Sequence, residues 1–441
     1  MLTTLKNAFK IKELRNKILF TFAMLVVIRI GSQLPTPGLS SDFFKSWFEG
    51  QTNGAFGFFD AITGGSFINM SILALNISPY ITSSIIMQLL TIAIPKLEEM
   101  QRDGEDGRKK IASITRYVTV ALALIQATAM SIGFGNRAYL AEYNAMNVVT
   151  AVATLTAGSA FLMWVGERIT EKGIGNGISI VLVINIISRL PEDIGSLFQM
   201  FVISRFNEGA PATGFLAAVI ILAIIIGMVV LVIILNDGVR KIPVQYANKV
   251  QGRKMVGGQT SNIPLKVNTS GVIPVIFAQS LMQLPIIISS FAGHDGTGVW
   301  GEVQKYLNSN YWCNPGQIRY TVGLLVYMLL IVFFAYFYTS ITFNPLMVAD
   351  NLKKQGGFIP GLRQGKPTSD YLNNVLNHVV FVGAVGLTLI AVIPYVFSGV
   401  FGASVSFGGT SLIIIVSVVL ETMKQIESQM LVRNYKGFLN D

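Results

Sequence analysis

The sequence is short of the residues that carry chemistry. It has one cysteine, Cys313, in 441 residues, which excludes an intrachain disulfide and a zinc site built on cysteines. Its two histidines, His294 and His378, are far apart in the chain, and neither is expected to take a metal or acid–base role. Charge is scarce as well: 13% of residues are charged, against about 25% in soluble domains. No strong catalytic motif appears. GIGNG at 173–177 lacks the strand–helix context of a dinucleotide fingerprint, and GGTS at 408–411 lacks the lysine of a phosphate-binding loop. With no nucleotide site in view, any work the protein supports is expected to be powered elsewhere, and no cofactor is expected.

What the chain has is apolar length. Hydrophobic residues make up 52% of it, and the mean hydropathy is +0.57. They fall in blocks of about 20, the length of a membrane-crossing helix. Ten blocks are expected to span: 18–34, 72–94, 114–134, 148–166, 174–190, 214–236, 271–290, 320–342, 376–396 and 410–430, of which 18–34 and 174–190 are short. Basic residues precede the first block, as in a signal peptide. The SQLPTPG after it is no small-residue cleavage site, so 18–34 is read as a retained first helix.

The basic residues set the orientation. With the N-terminus inside, 26 of the 33 Lys and Arg fall in inner segments and six in outer ones, with Arg29 in the first span. Such asymmetry predicts cytoplasmic termini and an even number of spans. It also accounts for most of the net charge of +10 without nucleic acid.

Two inner segments are longer than a connection requires. Residues 236–268 (NDGVRKIPVQYANKVQGRKMVGGQTSNIPLKVN), in the loop 236–269, are rich in Val, Ile, Gly and Gln and predict a projecting β-hairpin. Residues 343–375 are punctuated by Gly-Gly and Pro-Gly. Both read either as solvated linkers or as basic docking surfaces for an acidic protein or RNA.

The blocks themselves are nearly free of ionisable groups, which transporters and pumps usually keep at the midplane. Arg29, Glu421 and Lys424 can snorkel from helix ends. The polar content is weak: Thr82, Ser83, Ser84, Gln88 and Thr91, then Asn176, Ser179 and Asn185, then Gln279, Ser280 and Gln283. Two readings are open, helix–helix packing or a wetted path that binds nothing tightly. The stretch GFFDAITGGSFINM, 57–70, fits neither a span nor a solvated loop. It is too short and glycine-rich for the first and too apolar for the second; an amphipathic helix on the outer membrane surface is one alternative.

Several stretches together resemble the SecY family (SecY/Sec61-alpha), the central channel subunit of the bacterial Sec protein translocase. They are NISPYITSSIIMQLLT (76–91), GEDGRKKIASITRY (104–117), ERITEKGIGNGISI (167–180), PLKVNTSGVIPVIFAQS (264–280), FNPLMVADNLKKQGGFIPGLRQG (343–365) and FGGTSLIIIVSVVLE (407–421). The likeness covers almost the whole chain. It implies an all-α polytopic fold, ten transmembrane helices in two five-helix inverted-repeat halves, 1–190 and 191–441, forming a clamshell around an hourglass pore. Inverted repeats are common in transport proteins.

The same resemblance implies roles for particular residues. A constricting ring would fall on Ile81, Ile85, Ile178, Leu182, Ile276 and Ile414; Leu182 stands where many relatives have Ile. A plug over about 54–70 would use Phe58, Phe59, Asp60, Ala61, Ile62, Thr63, Gly64, Gly65 and Phe67. A lateral gate between the second and seventh helices would carry Gln88, Thr91, Gln279 and Gln283. Arg240, Lys241, Arg253 and Lys254 in one loop, and Lys353, Lys354 and Arg363 in the other, would dock the ribosome or the motor ATPase SecA. The family implies the small partner subunits SecE and SecG, signal peptides, nascent chains and membrane lipids as further partners. It implies a bacterial plasma-membrane location and no enzyme activity. The rival classes are a small-solute transporter, which predicts a midplane charge site, and an intramembrane enzyme, which predicts a Ser/Lys, Asp/Asp or HExxH cluster. Neither signature is visible.

Overall fold

A computed structural model describes residues 2–50, 63–133, 143–203, 211–246, 249–251, 254–256, 260–291, 298–401 and 409–437. It is mostly helical. The helices are α1 (Leu2–Lys10), α2 (Lys12–Gly31), α3 (Ser41–Gly50), α4 (Ser78–Ala93), α5 (Pro95–Arg102), α6 (Glu105–Gly133), α7 (Ala145–Lys172), α8 (Gly177–Phe198) and α9 (Pro211–Asp237), followed by α10 (Ile273–Phe291), α11 (Val299–Leu307), α12 (Val322–Thr342), α13 (Pro345–Lys354), α14 (Lys366–Phe401) and α15 (Gly409–Gly437). Five strands lie in the two long loop sequences: β1 (Val239–Tyr246), β2 (Lys249–Gln251), β3 (Lys254–Val256), β4 (Thr260–Lys266) and β5 (Gly357–Phe358).

Each of the ten apolar blocks overlaps a described helix. Among the described residues, five helices are long and apolar enough to cross a membrane, or six if α4 and α5 count as one bent span. The bend of 106° has a local cause. Pro95 lacks an N–H and forces Ile94 into an extended conformation, φ −113° and ψ 110°, which α-helix cannot continue. The second block starts later than its hydropathy predicts, at Ser78 rather than 72. Asn76 has φ +52°, incompatible with helix, and Pro79 sits in the first turn, where its missing N–H costs nothing. The segment 343–375 is also more ordered than its punctuation predicts. Asn344 caps α13, its side chain accepting from the amides of Leu346 and Met347 at 3.1 and 3.2 Å, and α14 begins at Lys366.

The chain forms two compact units. The first comprises Met1–Phe198, Ile286–Gln304 and Val418–Asp441. Its core packs Leu39, Phe44, Phe67, Met70, Leu75, Ala123, Ala127, Met130 and Leu155. Small residues let backbones approach. A Cβ on Gly158 would lie 2.0 Å from the Ile72 carbonyl, and one on Gly177 1.9 Å from that of Gly166. In hydrocarbon, where lipid is as apolar as leucine, close packing of this kind drives helix association.

The second unit comprises Gln199–Pro285 and Lys305–Ser417. Its main core holds Val232, Val275, Ala278, Tyr327, Ile331, Leu387, Ile390 and Ile413. α9 is apolar on all faces, with Phe215, Leu216, Leu222, Ile226 and Ile234 exposed, as expected of a lipid-facing helix. Antiparallel β1 and β4 pair from Val239↔Lys266 to Gln245↔Thr260, and β5 adds to β1 through Gln245↔Phe358. Both long loops therefore belong to one sheet, ordered β4-β1-β5. Ile242, Val244, Leu265, Leu352, Ile359 and Leu372 bury its base.

Cys313 lies in the connection before α12. It has φ +57°, and its amide donates to Thr321 Oγ1 at 3.3 Å. Burial pushes its thiol above the ordinary value. The thiolate is the reactive form, so a raised pKa lowers the reactive fraction near neutrality. Maleimide labelling of Cys313 is expected to climb with pH to a midpoint above about 8.5, the free-thiol value. A midpoint at or below that value contradicts the burial seen here.

Candidate functional site

The expected plug segment is described from Thr63 onward; Phe58, Phe59, Asp60, Ala61 and Ile62 lie outside the described residues. Residues 64–77 form a run of turns. Gly64 and Gly65 have φ +65° and +82°, a region that glycine enters without penalty. The run is strapped to its unit at both ends. The Thr36 amide donates to Met70 O at 2.8 Å, and the Ile72 amide to Leu34 O at 2.9 Å. Arg29 Nη1 on α2 and Ser188 Oγ on α8 both donate to Gly64 O, at 3.4 and 3.5 Å. Further along, Ser159 Oγ on α7 donates to Asn76 O at 3.1 Å. Irregular backbone at membrane depth is tolerated only where protein meets its polar groups, and these bonds do that. Thr63, Gly64 and Phe67 are buried and Gly65 half-buried.

The ring candidates fall in both units. Ile81 and Ile85 share a face of α4 with Gln88 and Ile92, by helical spacing. The opposite face, with Ser83, Met87 and Thr91 buried, packs on α6, where Ser83 Oγ pairs with Thr119 Oγ1 at 2.5 Å. The Ile81–Ile85 face is left half-exposed. On α8, Ile178 is half-buried and Leu182 is buried, one turn apart. In the second unit Ile276 on α10 is half-buried, and Ile414 on α15 is buried.

The gate candidates differ among themselves. Gln88 is exposed on α4. Thr91 is buried and its hydroxyl donates back to Met87 O at 2.7 Å. Gln279 is buried on α10 and accepts from Tyr327 Oη at 3.3 Å; Tyr395 joins the same cluster by hydrogen bonds to Gln279 and Tyr327. Trp312 packs against both tyrosines, tilted on Tyr327 and edge-on to Tyr395, with ring centroids 5.6 and 5.2 Å away. Gln283 is buried one turn further along α10.

Arg240 and Lys241 are exposed on β1, and Lys353, Lys354 and Arg363 are exposed on and after α13. The loop carrying Arg363 is held by Gln364 Nε2 to Gly357 O at 3.1 Å and by Thr368 Oγ1 to Arg363 O at 2.8 Å. Lys254 lies on β3; Arg253 is outside the described residues. One sheet thus presents basic groups from two distant stretches of sequence, a surface suited to an anionic partner.

Three participants have little sequence signal. Arg29 stood out only as a lone charge in an apolar block, and its target, a carbonyl, has no signature at all. Tyr327 and Tyr395 look like ordinary aromatic span residues until the fold places them on Gln279.

The SecY family model matches residues 71–423. The protein translocase subunit SecY of Streptomyces scabiei is 44% identical over 455 residues, covering the whole of both chains. A solved structure of a protein-conducting channel superposes with a TM-score of 0.62 at 18% identity, over 94% of this chain and 92% of that one. Sec61 in the canine ribosome–channel complex from the endoplasmic reticulum gives 0.60 at 18% identity over the same shares. At these identities the solved structures speak to the fold.

The cradle around Gly64 yields a sharp expectation. A Cβ there would lie 2.6 Å from Asn185 O and 2.8 Å from Asn185 Cα, whereas one on Gly65 meets nothing within 4 Å. Both alanines bear the left-handed cost of about 1–2 kcal/mol, but only Gly64→Ala adds overpacking of about 1–3 kcal/mol. Gly64→Ala is expected to lower the unfolding midpoint in detergent clearly more than Gly65→Ala; equal losses contradict the cradle.

Proposed function

The chain belongs to the SecY family, and from that premise we propose that it acts as a passive, gated channel that unfolded polypeptides cross in a bacterial cytoplasmic membrane. It is a multi-pass membrane protein and a protein-translocation channel subunit, not an enzyme. The observation that carries the mechanism is the apolar stripe on α4. Ile81 and Ile85 stand half-exposed on a face that its own neighbour α6 does not cover, while Ser83 and Thr91 are buried on the opposite face.

In this reading ten spans form two five-helix halves, 1–190 and 191–441, as an inverted-repeat clamshell with both termini cytoplasmic. Ile81, Ile85, Ile178, Leu182, Ile276 and Ile414 make its constriction. A narrow apolar ring dewets and so blocks ions. Aliphatic side chains demand no particular hydrogen bonds, so they yield around a peptide of any sequence. The segment from about 54 to 70 seals the outer side, rooted at Gly64. Signal sequences and transmembrane segments leave sideways through a seam carrying Gln88, Thr91, Gln279 and Gln283. Its bonds are weak enough to exchange, since membrane hydrogen bonds average about 0.6 kcal/mol each. Small subunits of the SecE and SecG kind brace the clamshell. Arg240, Lys241, Arg253, Lys254, Lys353, Lys354 and Arg363 dock a SecA-type motor ATPase or a ribosome, the partner named for the canine relative.

Ile85→Asn and Ile276→Asn test the ring. Each is expected to raise ion leak through reconstituted protein about tenfold, the effect of removing ~1.4 kcal/mol from the dewetting barrier, and to admit substrates with defective signal sequences. Unchanged leak together with unchanged rejection of such substrates would remove the ring from these positions.

A further inference from the structure

The second unit contains a part-buried polar chain that the ring, gate and docking surfaces do not use. Asn268 Nδ2, just beyond β4, donates to Asn236 Oδ1 near the end of α9 at 2.8 Å. Asn236 Nδ2 in turn donates to Ser417 Oγ on α15 at 2.7 Å. Ser417 is three residues from Ile414 and so on the same helix face.

The other end of this chain is fixed to the sheet. The Val267 amide donates to Gly238 O at 2.8 Å, closing the β1–β4 hairpin at its root. Val267 O lies where a Cβ on Gly383 of α14 would be 2.2 Å away, so the root is wedged against a helix and cannot slide freely. Beyond the root, β1 carries β5 and the Arg363 loop with it. Arg240, Lys241 and the Arg363 loop thus share one sheet framework, and Asn268 ties the root of that sheet to α9 by a side-chain hydrogen bond.

We propose that Asn236, Asn268 and Ser417 are positioning residues that tie the cytoplasmic sheet to the pore-lining turn of α15, so that a load on the sheet moves Ile414. The inference rests on the docking and ring assignments proposed above. Its physical basis is a short, part-buried amide–amide–hydroxyl chain anchored on the buried Asn268, whose links are worth more where water is excluded and can re-form in a second arrangement. Asn268 Oδ1 is buried and without a hydrogen-bond partner, so the same three side chains have an acceptor in hand for that second arrangement. Coupling between distant sites needs such a two-state element rather than mere proximity.

The test uses the full chain with its partner subunits in proteoliposomes, Ile414→Cys in a Cys313→Ser background, and ribosomes as the load. The modification rate at position 414 is measured with and without ribosomes, beside ribosome affinity by co-sedimentation. Asn236→Ala and Ser417→Ala are each expected to cut the ribosome-dependent acceleration about fivefold with affinity within about twofold, and the pair to lose no more than either alone, the mark of shared coupling. Ser417→Thr, which keeps the hydroxyl, is expected to retain the acceleration. The inference is overturned if the alanine variants keep the acceleration, if their losses multiply, or if Ser417→Thr falls as far as Ser417→Ala; that last comparison stands even if Asn236→Ala does not fold. A background chain that shows no acceleration at all, or binding that ignores Arg240→Glu with Lys241→Glu, overturns instead the docking and ring reading beneath it.

Discussion

In the hydrocarbon of a membrane every backbone amide and carbonyl must find a partner within the protein, because an unmet one costs several kcal/mol. That constraint organises this molecule. Helices meet it by themselves, and ten apolar blocks are helical over most of their length. The run from Gly64 to Ile77 departs from helix, and it does so where α2, α7 and α8 supply partners. Arg29, Ser188 and Ser159 donate to its carbonyls, while backbone groups of Leu34 and Thr36 pair with Ile72 and Met70. The irregular segment can therefore sit deep in the protein, and its root is defined by two glycines that no other residue replaces without strain.

A second consequence concerns what passes through. A channel for arbitrary polypeptide has to avoid offering strong, specific partners to the chain in transit. On α4 Ser83 faces α6, and Ile81 and Ile85 face away. On α10 the side-chain carbonyl of Gln279 accepts from Tyr327. These buried polar groups bond within their own unit, and the Ile81–Ile85 face stays half-exposed. The surface around the three-stranded sheet is the reverse: exposed Arg240 and Lys241 on β1, with Lys353, Lys354 and Arg363 flanking β5, suit an anionic partner.

Much of this was legible in the sequence. Hydropathy blocks located the helices, the Val, Ile, Gly and Gln content of 236–268 marked the hairpin, and motifs such as GIGNGISI carried the family. Helix ends were less legible where backbone geometry overrules hydropathy. Asn76 and Pro79 delay α4, Pro95 bends it, and the polar stretch after Lys366 rides on α14 beyond its apolar part. The loop 343–375 looked irregular because its glycines are conspicuous, yet Asn344 caps a helix inside it and β5 joins it to the hairpin. Least legible were bonds to carbonyls and bonds among dispersed neutral residues. Nothing local in the sequence ties Arg29 to Gly64, or Asn268 to Asn236 and Ser417, since each pairing exists only once the helices are packed.

The central claim is that a polypeptide passes the isoleucine stripe of α4. It is tested most directly by a single cysteine at position 85 in a Cys313→Ser background, with an arrested secretory chain bearing one cysteine in its mature region. A disulfide between the two that requires a functional signal sequence is the expected result. A chain that docks fully and forms no such bond contradicts the account and places the conducting path elsewhere.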